Sequence, residues 1–278
     1  MAAGFKVDSA QFWDDGYTIV RGVFSRSEIE DFRQRSFEAR GKHGGDLLSN
    51  PYLNGILLDG RLVDIARQIL GRDDVVYYGD GAIAIREGNP GWHKDNADRK
   101  DPDAPDWASP YTQLRFGVYL QDHHRHSGGL NVRVGSHETV SHTEGRPIQL
   151  RTKVGDVGVW SMRITHSAAA TLLKWWPGRD RHPDPFELDQ VEPKHILPRD
   201  KERIAVFLAL GADDDHLERY VQYLKTRRYI VNTWMKSRYD DEVRARAAEI
   251  GLTIRDMRAE IEGDATVGRN EAWQPLPY

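Results

Sequence analysis

Hydrophobic and polar positions change period several times along this chain. "YTIVRGVF" (17–24) crowds β-branched and aromatic residues together. "SRSEIEDFRQRSFEAR" follows and spaces Ile29, Phe32 and Phe37 along an approximate helical face. Ser25 and Glu28 stand where a reciprocal N-terminal cap requires a hydroxyl and a carboxylate three apart. Residues 9–40 therefore predict a strand and then a helix. "RLVDIARQIL" (61–70) predicts a second short helix, stopped by Gly71. Beyond it come short β-type runs split by Gly, Asp and His: "VVYYGDGAIAIRE", "YTQLRFGVYLQD", "GGLNVRVGSH", "PIQLRTKVGDVGVWSM" and "RIAVFLALG". Many short strands with turn signals predict a sandwich or barrel. After 213 the pattern is helical again, in "DDDHLERYVQYLKTRRYIVNTWM" and "DEVRARAAEIG". Two Pro- and Asp-rich stretches, 96–110 and 174–200, predict long loops, which in compact domains often serve as lids or binding loops. No internal repeat, low-complexity tract or break in composition divides the chain. The expectation is one domain over 1–278: mainly β, with a core at about 75–211 and helical flanks at both ends.

Composition narrows the function classes. The formal net charge of -4 provides no basic field for nucleic acid. The absence of cysteine excludes disulfides, thiolate metal sites and a cysteine nucleophile. No apolar run approaches the roughly 20 residues of a membrane span. "MAAGFKVDSAQFW" lacks the basic start and apolar stretch of a signal peptide, so a cytoplasmic protein with no membrane partner is expected. The 8 Trp and 11 Tyr fill a core in most proteins and also line small-molecule pockets.

Candidate chemistry begins at "GWHKDN" (91–96). In a strand, residues i and i+2 project the same way, so His93 and Asp95 can grip one ion together. Two histidines and a carboxylate on one face of a metal, with the other face open, form the ligand set of non-haem Fe(II) oxygenases. A third ligand must come from a distant strand, and "GDVGVWSMRITHSA" offers His166. His182 with Asp184 competes, but two prolines in "RDRHPDPFE" disfavour a regular strand. His142 with Glu144 and His216 with Glu218 read as loop and helix positions.

Four motifs in order resemble the phytanoyl-CoA dioxygenase-like family of Fe(II)/2-oxoglutarate oxygenases. "FWDDGYTIVRGVFSRSEIEDFR" (12–33) is similar to that family's opening, and "WHKDN" falls where it carries His-x-Asp. "YLQDHHRHSGGLNVRVGSH" (119–137) resembles its Leu-x-Asp, Asn-Gly-x-Leu and Pro-Gly-Ser-His run, with Ser127-Gly128 and Val134-Gly135 in place of Asn-Gly and Pro-Gly. "VGDVGVWSMRITHSA" resembles its segment ending in the distal histidine. The match runs from about residue 12 to about 211.

The resemblance implies a double-stranded β-helix, or jelly roll. It implies Fe(II) on His93, Asp95 and His166, with 2-oxoglutarate and O2 as co-substrates. The family's 2-oxoglutarate arginine begins the strand after the distal histidine, which points to Arg203; a planar guanidinium suits a carboxylate. The spacing departs from the family, with 167–202 as an apparent insertion that also holds Arg179 and Arg181. Arg115 is a further candidate for holding 2-oxoglutarate or an anionic substrate. The related halogenases lack the carboxylate ligand, so Asp95 argues for hydroxylation or a related oxidation, with cyclisation and desaturation also within the family's range.

Residues 96–110 and 167–202 are the expected walls of a substrate mouth, with Trp92, Asn96, Trp107, Tyr111, Trp175 and Trp176 as candidate lining residues. Such a lining suits a small polar, ring-containing substrate, a sugar or a natural-product intermediate, better than an acyl-CoA. The tail helices are expected to cover one end of the barrel or to form a homodimer. The rival classes are a cupin-like metal-dependent hydrolase or isomerase and a non-catalytic small-molecule-binding protein.

Overall fold

The computed structural model describes residues 4–42, 44–85, 91–168, 170–175, 191–199, 202–265 and 267. The N-terminal flank holds α1 (Ser9–Asp15), β1 (Tyr17–Val20), α2 (Arg26–Ala39), α3 (Gly55–Leu58) and α4 (Arg61–Leu70). The β core follows with β2 (Val75–Tyr77), β3 (Gly81–Ile85), β4 (Gln113–Tyr119), β5 (Leu130–Val134), β6 (Arg146–Leu150), β7 (Val157–Ser161), β8 (His166–Ser167) and β9 (Ile204–Ala212). The C-terminal flank holds α5 (Asp215–Lys225), α6 (Arg228–Lys236), α7 (Asp241–Glu249), β10 (Leu252–Ile254) and α8 (Met257–Ile261). Among the described residues, no helix is long and apolar enough to cross a membrane.

Two features differ from the sequence expectation, one with a local cause and one set by distant pairing. Residues 9–15 form a helix ahead of the expected strand: the Asp8 side chain accepts from Gln11 N, and Gly16 ends the turn at φ 84. Only glycine takes that left-handed conformation without cost, and a Cβ here would also strike the His137 ring. The flanks are not purely helical either. β1 pairs antiparallel with β7, and β10 pairs parallel with β2, so both ends of the chain extend the central sheet.

That sheet has seven strands, ordered β1-β7-β4-β9-β2-β10 with β3 also on β9; a second sheet runs β6-β5-β8. Alternation along β4 divides its two faces. Leu114, Phe116 and Val118 join Val206, Leu208 and Leu210 in the core under α2, α3 and α4. Arg115, Gly117 and Tyr119 fall on the other, inner face. That inner face is covered in two halves. Over one half, Tyr119, Trp160 and Ala205 pack with Leu130, Val132 and Leu150 of the small sheet. Over the other, Met162, Ala209 and Tyr78 pack with Leu217, Tyr220, Val221 and Trp234 of α5 and α6. Arg115 pairs in register with Trp160 on one side and Ala209 on the other, which puts it at the seam. The tail helices thus cover one half of the inner face.

The expected cap on α2 is present, with Glu28 N donating to Ser25 Oγ and Ser25 N donating to Glu28 Oε2. Arg61 at the head of α4 also donates to Glu28 Oε1 at 2.5 Å and to Val23 O at 2.6 Å, joining the two helices. The Arg61 hydrogen bond, against a smaller opposing effect of burial, pulls the Glu28 carboxyl from its ordinary 4.5 down to about 2. A depressed carboxyl stabilises the fold above its unfolded pKa and loses that contribution as pH falls through the folded value. Wild type should therefore lose stability more steeply than Glu28→Gln between pH 4.5 and 2, and the two slopes should converge below that. Urea unfolding at a series of pH values checks this; parallel slopes through the window would refute it.

Candidate metal centre

"GWHKDN" runs extended alongside residues 162–166. His93 N donates to His166 O at 3.0 Å, His166 N donates to His93 O at 2.9 Å, and Asp95 N donates to Met162 O at 2.8 Å. This reciprocal bridge joins two histidines that are far apart in sequence. Alternation puts His93 and Asp95 on one side and Lys94 on the other. There the Lys94 ammonium is buried, donating to Ser136 O and Arg163 O.

His93 Nε2 lies 3.9 Å from Asp95 Oδ1, and His166 Nε2 lies 3.6 Å from Asp95 Oδ2. One ligand atom from each residue fits within 4.8 Å of the others, and among the described residues this is the one such group of three or more. The two rings sit 4.2 Å apart, centroid to centroid. Each histidine has its Nδ1 at a backbone carbonyl, His93 at Gly91 O (2.8 Å) and His166 at Ile164 O (3.1 Å). A carbonyl only accepts, so both Nδ1 atoms carry hydrogen and both Nε2 lone pairs face Asp95, the arrangement that outer partners impose on metal-binding imidazoles.

Burial, with the neighbouring His93, pushes His166 down to about 3, so its ring is neutral at neutral pH. Burial works to raise the Asp95 carboxyl, but the Arg115 guanidinium beside it leads the opposing charges, and Asp95 is held well below the usual carboxylate range. Neutral imidazoles and an ionised carboxylate are the forms that bind a divalent ion. The donor set fits Fe(II).

Arg115 stands behind Asp95. Its Nε donates to Asp95 Oδ2 at 3.2 Å, its Nη1 pairs with Asp80 Oδ2 at 2.9 Å, and its Nη2 donates to Tyr220 Oη at 3.0 Å. Tyr220 in turn donates to Asp80 Oδ2 at 3.0 Å. Asp80 and Tyr220 escape a sequence reading: one is a turn residue and the other belongs to the apolar stripe of α5. Arg115 itself had a legible signal, since a guanidinium on the inner face of a central strand needs buried partners.

Arg203 directly precedes β9. Its Nε donates to Gly128 O at 2.8 Å, and its guanidinium lies 5.7 Å from the Tyr119 and Phe207 rings. A line of ring contacts runs back from there to the metal centre: Tyr119 to Phe207 at 5.9 Å, Phe207 to Trp160 at 6.2 Å, Trp160 to His166 at 5.8 Å.

The other candidates are placed differently. Trp92 is buried under the Arg133 guanidinium, 4.6 Å from its ring. Asn96 is buried and donates to Asp106 Oδ2 at 3.1 Å. The Trp107 indole donates to Asp98 O at 2.8 Å, and Tyr111 is buried beside the His216 ring. These contacts knit residues 96–110 to one another. Arg163 adds bonds to Asp106 O (2.8 Å) and Ser109 O (3.0 Å), and Arg219 of α5 pairs with Asp98 and Asp106. The stretch is a loop, as expected, and these bonds pin it in place. Trp175 is 70% exposed. Trp176, Arg179, Arg181, His182 and Asp184 lie outside the described residues. The base of the insertion is ordered, with Leu173 bridged antiparallel to Ile196. His142 stands in a loop and His216 on α5, bonded to Thr112 Oγ1 at 3.2 Å.

No protein-family model matches the sequence, and no curated protein sequence matches it. Solved structures do match. HygX from Streptomyces hygroscopicus, determined with nickel and 2-oxoglutarate bound, superposes with a TM-score of 0.51 at 14% identity over 75% of this chain and 88% of its own. AviO1 from Streptomyces viridochromogenes Tue57 gives 0.50 at 16%, over 75% of this chain and 96% of its own. EvdMO1 gives 0.50 at 18% over 74% of this chain, which spans 49% of EvdMO1. The chain shares their fold. At these identities the likeness bears out the expected jelly roll.

Proposed function

We propose that this protein is an Fe(II)/2-oxoglutarate-dependent oxygenase acting on a small polar molecule. The observation that carries the reading is the convergence of His93, Asp95 and His166, with both imidazole Nε2 atoms turned toward one ionised carboxylate. A two-histidine, one-carboxylate set leaves positions open for a chelating co-substrate and oxygen. A bound 2-oxo acid and nickel in HygX, on the same fold, support this choice over a hydrolase or isomerase.

Iron(II) held there would supply the oxidation of 2-oxoglutarate by O2 to succinate and CO2, coupled to oxidation of a substrate C–H bond. The chain's own residues do the positioning. The backbone carbonyls of Gly91 and Ile164 fix the two imidazole tautomers. Arg203, held by Gly128 O and two aromatic rings, would take the far carboxylate of 2-oxoglutarate. Hydroxylation of a sugar-containing or natural-product intermediate, by a single cytoplasmic oxygenase domain, is the specific form of the proposal.

Anaerobic titration with Fe(II) and then 2-oxoglutarate tests it. A visible charge-transfer band should grow with 2-oxoglutarate and be absent in His93→Ala. Bound iron with no band would reject the oxygenase reading and favour a metal-dependent hydrolase or isomerase.

A further inference from the structure

We infer that Arg115, braced by Asp80 and Tyr220, is a positioning residue that holds the outer oxygen of Asp95 and so sets the affinity and coordination of the metal. The inference rests on reading His93, Asp95 and His166 as the ligands.

Each of the three Arg115 nitrogens has its own partner: Asp95 on Nε, Asp80 on Nη1 and Tyr220 on Nη2. The side chain is only 12% exposed. A guanidinium so enclosed must be compensated by charge, and Asp80 and Asp95 provide it. The bond to Asp95 falls on Oδ2, the oxygen that also faces His166 Nε2. Arg115 therefore holds the carboxylate in one rotation and leaves Oδ1 toward His93, which favours binding through a single oxygen. Tyr220 closes a triangle, donating to Asp80 while it accepts from Arg115. The bracing comes from three separate parts of the chain: Asp80 before β3, Arg115 on β4 and Tyr220 on α5. This geometry reassigns Arg115 from co-substrate binding to support of a metal ligand, and it makes the C-terminal flank part of the metal centre.

The test is Mn(II) binding to the metal-free protein by calorimetry, with Co(II) absorption as a spectroscopic readout. Arg115→Met should weaken Mn(II) binding about 10–100-fold, the usual consequence of losing an outer partner of a ligand. Its Co(II) spectrum should change, because the released carboxylate can turn a second oxygen onto the ion. Arg115→Lys should recover little, since an ammonium cannot bridge both carboxylates in the guanidinium geometry. With Mn(II) saturating, 2-oxoglutarate affinity should stay within about twofold of wild type, well short of the loss expected of a severed charge-assisted contact.

Unchanged Mn(II) affinity and Co(II) spectrum would overturn the inference, as would a loss confined to 2-oxoglutarate affinity. Asp80→Asn removes the brace with little change of shape and should weaken Mn(II) binding about tenfold. If Arg115→Met does not fold, wild-type affinity in Asp80→Asn overturns the inference. Asp95→Ala separates the two levels. Wild-type Mn(II) affinity in that variant would remove the ligand reading itself, whereas its loss alongside a silent Arg115→Met would remove only the positioning role.

Discussion

His166→Ala is expected to lower divalent-metal affinity by more than about 100-fold, beyond the range seen when only an outer partner is lost. Iron-dependent turnover should disappear with it. His166 is buried, its Nε2 faces Asp95, and its ring is neutral. On the proposed reading, alanine removes one of three ligands. The fold should survive, because the contacts joining the two ligand segments are backbone bonds that alanine retains. Calorimetric titration with Mn(II) reads the affinity, and far-ultraviolet circular dichroism reads the fold. Retained affinity would move the metal elsewhere. The same change at His93 or Asp95 should give the same result, since a tridentate site fails as a unit.

The second large effect is expected at Arg203. Charge-assisted hydrogen bonds are worth about 1.5–3 kcal/mol, so Arg203→Ala should raise the 2-oxoglutarate requirement roughly 10–100-fold. Arg203→Lys should fall between, keeping the charge without the planar fork. Mn(II) affinity should not change, because a line of aromatic rings stands between Arg203 and the candidate metal centre. A KM for 2-oxoglutarate that stays at the wild-type value would assign the clamp to another cation. The pair of variants thus separates the metal from its co-substrate: His166→Ala loses both, and Arg203→Ala loses one.

What the sequence made legible follows from the range of the interactions involved. The α2 cap, the end of α4 at Gly71 and the strands β4, β5, β7 and β9 are encoded within a few residues, and they stand where the pattern puts them. His93 and Asp95 share a side because strand periodicity is local. Other features depend on distant partners. β10 is three residues long and becomes a strand by pairing with β2. Helix α1 is fixed by a cap at each end within a stretch whose neighbour is β-rich. Asn96, Trp107 and Tyr111 stay candidate pocket residues, because aromatic and amide side chains in a long loop suit a lining or a packing role. Arg163 and Arg219, from separate segments, commit that loop to structure. Asp80 and Tyr220 gain significance only from Arg115, which neither residue's neighbourhood reveals.

The bridge between His93 and His166 bears on when the proposed metal would enter. Both of its hydrogen bonds are main-chain to main-chain, and both imidazoles are oriented by carbonyls of their own segments. None of these contacts requires an ion. Loading is thus expected to be a late event, a docking onto a finished protein rather than a step in its assembly. Metal should raise the denaturation midpoint by mass action alone, leave the denaturant slope unchanged, and exchange freely with chelators without unfolding the chain.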